Sequence, residues 1–483
     1  MPDGSDSPAI DAGKARPSGR LARWAVVIGA GVLVAVLPRP AGVPAASWNL
    51  LAVFVSTVLG LTLGPLPGGA MVLLGITATV LLGIQPIATA LTGYADPIVW
   101  LVLAAFMMSR GMIKTGLGRR IAFLLIRAIG KRSLGLGYSL ALTDFVLAGF
   151  IPSNAARAGG IVFPIAKSLA EAYDSRPGPT AGRLGTFLMA FIYQCGIVSC
   201  AIFLTGQASN ALIASFAQKT SGIALGYDRW FVGAIVPGAL SLVAVGLLVY
   251  RLSPPEVRHT PRAVDLAQGE LTFMGPLSQP EKRMLLVFVG MAVLWMTVAL
   301  HGVHYAAVAM LGLAALLLCS VVTWDDVISE RGAWDVFVWY GGLVQLAGAL
   351  AETGLPGRFA QSAAGLTQGW PWWGALLALL LVYFYAHYAF ASITAHVTAM
   401  YVSFLAVMLA AGAPPAVAAL SLAYASNLMA GLTHYGTTPA PIYFGAGYVS
   451  QPTWWRIGFV ASAASLAIWM TFGVAWWRML GLW

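Results

Sequence analysis

The sequence contains few charged residues. Only 9% of its 483 residues are Asp, Glu, Lys or Arg and 59% are hydrophobic, whereas water-soluble domains carry about 25% charged residues. A soluble globular domain cannot hide that much apolar surface, so this class is excluded. Cysteine is also scarce: Cys195, Cys200 and Cys319 lie in apolar segments without CxxC or Cys/His spacing, which supports neither a disulfide framework nor a zinc site.

Long apolar runs are what the chain has in abundance. Segments long enough to cross about 30 Å of hydrocarbon recur from Trp24 to Trp477. Several of them are short or interrupted by polar residues, so we interpret these as half-helices or hairpin arms. The sequence therefore predicts an all-α polytopic membrane protein with about 11 transmembrane helices plus two re-entrant helical hairpins.

Positive charge is distributed as a topology signal. The net charge of +10 comes from clusters at 14–23, 110–132 and 251–283, not from a single basic stripe. By the positive-inside rule these three regions are predicted to be cytoplasmic. We expect the lipid bilayer as a partner and no nucleic acid.

The composition predicts four regions. Residues 1–22 are polar and rich in Ser, Pro and Gly, so they are predicted to form a disordered cytoplasmic tail that precedes an uncleaved first helix. Residues 23–251 are predicted to form a transmembrane region with a first repeat. Residues 252–283 are predicted to be a cytoplasmic linker, and residues 284–483 a second transmembrane region with a second repeat.

An internal repeat is visible in the sequence. Three pairs of similar segments occur in the same order: 115–122 with 353–360, the polar interruption around Ser153 with that around Ser392, and the interruption around Gly206 with that around Gly436. The first copy is more basic at its polar end than the second, as expected if the two copies have opposite orientations in the membrane. We therefore predict two inverted repeats.

The interruptions consist of small, hydroxylated and helix-breaking residues. In a bilayer an unwound backbone is tolerated only where protein or a water-filled cavity satisfies it, so these segments predict a binding site at membrane depth. Close packing of helices through small residues is the structural alternative. The predicted substrate-binding residues are Ser153, Asn154, Arg157, Ser392, Thr394, Thr437, Thr438 and Pro439, and the possible cation or backbone positions are Thr205, Gly206 and Gly436.

Ionisable residues near the interruptions have two interpretations each. Arg157 either fixes a substrate carboxylate or extends to the cytoplasmic interface, because an unpaired charge at membrane depth is costly. Asp144 either assists a cation or caps a helix, with capping favoured. Three histidines, His387, His396 and His434, either pack in the interior or bind a carboxylate and sense pH.

Three segments resemble the divalent-anion/sodium symporter family. The strongest is LTHYGTTPAPIYFGAGY at 432–448, supported by TDFVLAGFIPSNAARAGGIVFPI at 143–165 and HYAFASITAHVTAMY at 387–401. The similarity is greatest to the branch of plastid-type 2-oxoglutarate/malate translocators and bacterial citrate or tartrate to succinate exchangers.

The resemblance implies further expectations. Members have two inverted repeats, each with a hairpin and a broken helix, and a transport region that moves as an elevator against a scaffold, often within a homodimer. The family's Ser-Asn-Thr signature falls on Ser153-Asn154-Ala155, which lacks the threonine, and on Ser392-Ile393-Thr394, which lacks the asparagine. Its sodium-completing glycine corresponds to Gly206 in the first half and to Gly436 or Thr437 in the second. Sodium is therefore a possible coupling ion, but the altered tips favour exchange without it.

The predicted function is antiport of small di- or tricarboxylates, such as 2-oxoglutarate, malate, succinate or citrate, across a bacterial inner membrane. The N-terminus is predicted to be cytoplasmic, and no catalytic cofactor or bound metal is expected. Three alternatives stay open: a sodium-coupled dicarboxylate or sulfate symporter of the same fold, a channel, and an intramembrane enzyme. The enzyme alternative is weakest because the sequence has neither GxSxG nor HExxH.

Overall fold

The structure, a computed structural model, describes residues 17–365 and 369–483. Helices form all of the regular structure in these two ranges except one isolated bridge between Arg132 and His259. Eight of the described helices are long and apolar enough to cross a membrane, and three shorter apolar helices accompany them. The prediction of an all-α polytopic membrane protein is confirmed.

The first half of the chain contains twelve α-helices. They are α1 (Pro17–Val36), α2 (Ala45–Leu63), α3 (Gly68–Leu81), α4 (Ile87–Ala90), α5 (Pro97–Thr115), α6 (Leu117–Ile129), α7 (Ser133–Ala148), α8 (Asn154–Arg157), α9 (Phe163–Ala172), α10 (Gly185–Ile202), α11 (Ala208–Ser221) and α12 (Tyr227–Leu252). Local chemistry sets many of these limits. Asp96 caps α5 by accepting from the Ile98 amide, and Gly116 ends it at a φ of 76°, a left-handed conformation that glycine adopts without strain.

The linker and the second half are also helical. They contain α13 (Pro261–Met274), α14 (Gln279–Met296), α15 (Val298–His301), α16 (Tyr305–Leu318), α17 (Trp324–Ser329), α18 (Arg331–Glu352), α19 (Leu355–Ala364), α20 (Trp372–Tyr385), α21 (Ile393–Ala410), α22 (Pro415–Leu428), α23 (Ala440–Gly445), α24 (Gln451–Ile468) and α25 (Val474–Met479). A π-helical turn joins α24 to α25, so residues 451–479 form one long helix.

The helix order of the first half recurs in the second. The pair α2 and α3 has 19 and 14 residues, and the corresponding α14 and α16 have 18 and 14. Each half then has a long helix, a short amphipathic helix, a hairpin and a broken helix in the same order. Lys114, in the last turn of α5, lies 2.6 Å from Asp326, which precedes the start of α18. The ends of these corresponding helices meet head to tail, as an inverted repeat requires.

The two broken helices lie at the centre of the molecule. In α10, 89% of the residues are buried inside the protein, against 11% in α1. Helix α22, which packs against α10, is rich in alanine and is buried from Ala416 to Leu428. Small side chains allow this close approach between helices in lipid. The polar interruptions that follow α10 and α22 are therefore deep in the protein.

Helices occur within two of the predicted regions. Helix α1 begins at Pro17, within the segment predicted to be a disordered tail, and residues 1–16 lie outside the described residues. The predicted linker at 252–283 contains the helix α13 and the start of α14. Ala263, Ala267 and Leu271 are buried at four-residue spacing, which is the apolar stripe of an amphipathic helix.

An ion pair holds this linker to α6. Arg120 donates from Nε to one Glu281 carboxylate oxygen at 2.6 Å and from Nη2 to the other at 3.1 Å. Its Nη1 also donates to the Gly275 carbonyl at 2.8 Å. Both side chains are almost completely buried, and a bidentate pair with further carbonyl contacts is the arrangement that satisfies a buried guanidinium.

We predict that Glu281→Ala destabilises the protein, because it leaves the Arg120 guanidinium buried without a counter-charge. The expected loss is about 3 kcal/mol, seen as a lower melting temperature of the purified protein. Glu270→Ala is the matched control, since its pair with Arg119 is exposed and contributes little. Equal melting temperatures for both variants would contradict the importance of the buried pair.

Candidate functional site

At each of the two hairpin tips a serine caps the N-terminus of the helix that follows. At the first tip α7 ends at Ala148, and Ser153 accepts a hydrogen bond from the Ala156 amide at 3.1 Å. At the second tip Ser392 accepts from the Ala395 amide at 3.4 Å. A serine cap uses one of the free amide groups and leaves the positive end of the helix dipole in place. Both tips therefore present helix N-termini.

The returning arms are long enough to act as helices in their own right. The first arm runs from Asn154 to Ala172, because α8 continues through a π-helical turn at Ala158–Val162 into α9. The second arm is α21, of 18 residues. The dipole at each tip therefore belongs to a helix of several turns.

The second helix break, residues 429–439, shares a cavity with the first tip and contacts the segment just before the second tip. On one side Asn154 and Pro439 line the same small cavity, together with Asp144 and Tyr443. On the other side the Gly436 carbonyl lies 3.0 Å from Nε2 of His387, just before the second tip. The predicted residues Thr437, Thr438 and Pro439 thus lie on a segment between the two tips.

Several predicted side chains have unused hydrogen-bonding groups. Asn154 is 7% exposed and Thr437 is 6% exposed, while Thr394 is half-buried and Thr438 is exposed. Among the described residues, none of these four side chains finds a protein hydrogen-bond partner. Amide and hydroxyl groups without protein partners are suited to binding an external polar group.

Arg157 is placed differently from both of its predicted alternatives. It is completely buried, so it does not extend to an interface. Its Nε donates to Asp144 at 3.0 Å, Nη1 donates to the carbonyls of Ile151 and Gly206, and Nη2 contacts the Cys200 sulfur at 3.2 Å. Every nitrogen of the guanidinium therefore has a contact within the protein, which does not favour the predicted contact of Arg157 with a substrate carboxylate. Asp144 is its ion-pair partner and does not cap a helix.

The predicted backbone positions are also engaged by the chain's own side chains. The Thr205 hydroxyl contacts the carbonyls of Ala148 and Gly149 at 3.0 and 2.8 Å, which closes the end of α7. The Gly206 carbonyl accepts from Arg157 at 2.7 Å. Gly436 in the second half has the same relation to His387. Each break is thus tied to the hairpin of its own repeat.

The three histidines are packed in the interior or bound to neighbours. His387 and His396 are fully buried, and their Nδ1 atoms lie 3.3 Å apart. Because the Gly436 carbonyl can only accept, His387 carries its hydrogen on Nε2, and in a neutral pair His396 must donate from Nδ1. His434 accepts from Trp455 Nε1 at 3.1 Å. These contacts favour the packing interpretation.

The comparisons with known proteins agree with this architecture. Residues 19–483 match the family described as the sodium:sulfate symporter transmembrane region. The chain belongs to this family. It is therefore a member of a transporter family and not an enzyme, as the missing catalytic motifs predicted.

Relatives of this symporter-family chain cover nearly its whole length. It is 43% identical over 474 residues to a Bacillus subtilis (strain 168) protein named for malate transport, covering 98% of this chain and 99% of that protein. It is 43% identical to the chloroplastic dicarboxylate transporter 1 of Spinacia oleracea, with 94% and 80% covered. It is 34% identical to the L-tartrate/succinate antiporter of Escherichia coli (strain UTI89 / UPEC), with 96% and 99% covered.

A solved structure supports the fold of the symporter-family chain. The YdaH transporter of Alcanivorax borkumensis superposes with a TM-score of 0.56 over 96% of this chain and 97% of that chain, at 14% sequence identity. At this identity the similarity concerns the fold alone.

Sequence reasoning missed a polar network that joins the two broken helices of the symporter-family chain. Gln207 donates to Asn427, and Asn427 donates to Asn210 at 2.8 Å. Asn210 also donates to the carbonyls of Cys200 and Phe203 at 2.8 and 2.9 Å. The string Ala-Ser-Asn occurs at the start of α11 and again near the end of α22. That repetition is the signal that could have identified the network.

We predict that Gly206→Ala disrupts the first break. A Cβ at this position would lie 2.5 Å from the Cys200 carbonyl oxygen and 2.7 Å from its Cα, so backbone must move and the bond to Arg157 weakens. The expected cost is about 1–3 kcal/mol, measured as a lower melting temperature. Gly160→Ala is the control, because nothing lies within 4 Å of its added Cβ. A Gly206→Ala protein as stable as the control would refute this description of the break.

Proposed function

We propose that the protein is an antiporter that exchanges small dicarboxylates across a bacterial inner membrane without sodium coupling. The observation that carries this proposal is the position of the Arg157 guanidinium. The family resemblance puts a sodium-completing carbonyl at Gly206, and here that carbonyl already accepts from Arg157. A permanent positive charge from the chain therefore takes the role that a mobile cation has in a coupled symporter.

The second half supports the same proposal. Its corresponding carbonyl, at Gly436, is bonded to His387, so it is not free to complete a cation site. At both breaks the carbonyl therefore already accepts a hydrogen bond from a side chain of the protein. Sodium coupling would require these side chains to leave their carbonyls in a buried environment, where an unpaired charge or donor is costly.

The proposed substrate is a dicarboxylate held between the tips. Asn154 and Thr394 are proposed to donate hydrogen bonds to opposite carboxylates, with Ser153, Ser392, Thr437, Thr438 and Pro439 nearby. A helix N-terminus at each tip favours an anion with a charge at each end. The names of the relatives, which mention malate, dicarboxylates, tartrate and succinate, support this substrate class.

The proposed movement is an elevator within a homodimer. We propose that the hairpins and the broken helices, with the bound anion between the tips, move against a scaffold that includes α5 and α18. The proposal includes a cytoplasmic N-terminus and a cytoplasmic linker around α13, since the basic clusters lie at that end of the helices. Both the dimer and the movement rest on the family resemblance.

A sodium-coupled symporter is the second candidate, because the family description itself names sodium and sulfate. Reconstituted protein in liposomes preloaded with malate or with buffer distinguishes the two. We expect labelled succinate to enter only the malate-loaded liposomes, at equal rates with sodium or potassium outside. Sodium-driven uptake into buffer-loaded liposomes would support the symporter, and unsaturable flux without a counter-substrate would support a channel.

Substitutions at the tips test the binding residues. Asn154→Ala and Thr394→Ala each remove one proposed hydrogen bond to a carboxylate, and we expect KM for exchange to rise about tenfold. Melting temperatures should stay near that of the wild type, because neither side chain has a hydrogen-bond partner in the part of the chain that the structure describes. Asn49→Ala, on an exposed position of α2, is the matched control. Unchanged KM values in both tip variants would remove the proposed site.

A further inference from the structure

The inverted repeat places two arginines in equivalent positions. Arg120 is the fourth residue of α6, and Arg358 is the fourth residue of α19. Each arginine reaches the loop before a membrane helix of the other repeat. Arg120 Nη1 donates to the Gly275 carbonyl before α14 at 2.8 Å, and Arg358 Nη1 donates to the Ala41 carbonyl before α2 at 2.8 Å. The carbonyl contacts of the two arginines therefore match.

The two arginines differ in their contacts with carboxylates. Arg120 is paired with Glu281, the third residue of α14. The third residue of α2 is Ser47, followed by Trp48. Among the described residues Arg358 has no ion-pair partner, so the second repeat has the guanidinium without its anion.

A large cavity lies beside Arg358 and Trp48, the residue that follows Ser47. Its volume is about 430 Å³, and its lining includes Trp48, Leu51, Leu350, Arg358, Phe359 and Ser403. None of these lining residues is acidic. The wall is therefore mainly apolar, with a cation at one place.

The polar groups of this cavity are mostly donors. The guanidinium has five N–H groups, of which Arg358 directs two toward the carbonyls of Ala41 and Gly42. An anion with several oxygens is the complement of this set.

We propose that the cavity binds an anionic phospholipid, with its phosphate at Arg358 and an acyl chain along the apolar wall. The lipid is favoured over a free anion because the cavity lies among membrane helices and is mostly apolar. Arginine binds phosphate well through its planar set of donors. The lipid takes the place in the second repeat that the Glu281 carboxylate has in the first.

The position of this site relates it to the second hairpin. Ser403 belongs to α21, the returning arm of that hairpin, while Leu51 belongs to α2 and Leu350 to α18. A bound lipid would therefore contact the hairpin and the helices beside it together. We expect the lipid to stabilise their packing.

The test uses purified full-length protein and native mass spectrometry after addition of phosphatidylglycerol or phosphatidylcholine. We expect the wild type to retain phosphatidylglycerol, and Arg358→Ala to bind it about tenfold more weakly, the effect of losing a charge-assisted contact. Arg39→Ala is the matched control, since this exposed arginine is in the same loop region but does not line the cavity.

A second variant keeps the proposal testable if Arg358→Ala folds poorly. Ser47→Glu puts a carboxylate at the position equivalent to Glu281, and we expect it to fold stably while losing phosphatidylglycerol retention. Equal retention of phosphatidylglycerol by the wild type, Arg358→Ala and Ser47→Glu would overturn the proposal. So would equal retention of phosphatidylcholine by the wild type, or displacement of the lipid by inorganic phosphate at millimolar concentration.

Discussion

The structure depends on satisfying backbone groups where helices stop inside the membrane. Hydrocarbon supplies no hydrogen bonds, so each carbonyl and amide left by a broken helix must find a partner in the protein. At the first tip one side chain does most of this: the Arg157 guanidinium joins Asp144, Ile151 and Gly206. It thereby fastens the hairpin to the broken helix of the same repeat and lets the chain unwind at membrane depth.

The two halves satisfy the backbone carbonyls of their helix breaks with different side chains. In the first half an arginine and an aspartate form a buried ion pair, whose charges compensate each other and whose remaining donors bond to carbonyls. In the second half a pair of imidazoles takes the place of the guanidinium, and His387 holds Gly436. Among the described residues, Asn154 and Thr394 at the tips have no protein hydrogen-bond partner. The arrangement separates side chains that support the backbone from side chains that remain available to a ligand.

Much of the architecture could be predicted from the sequence, because its signals are strong and local. Apolar runs predicted the membrane helices, and paired interruptions such as those at Ser153 and Ser392 predicted the hairpins. The role of Arg157 could not be predicted in this way, since sequence does not show that the carbonyls of Ile151 and Gly206 converge on it. The linker helix α13 was missed because its prolines suggested a loop, although Ala263, Ala267 and Leu271 have helical spacing. The asparagine network was missed because its members belong to different repeats.

The most direct test of this account is an experimental structure of the protein with malate, prepared in sodium-containing buffer. The account predicts that the two carboxylates of malate lie within hydrogen-bond distance of Asn154 and Thr394. It also predicts that Arg157 remains bonded to Asp144 and to the carbonyls of Ile151 and Gly206. A sodium ion at Gly206, or an Arg157 side chain turned toward the bound malate, would contradict the central claim that this arginine is the fixed cation of the first tip.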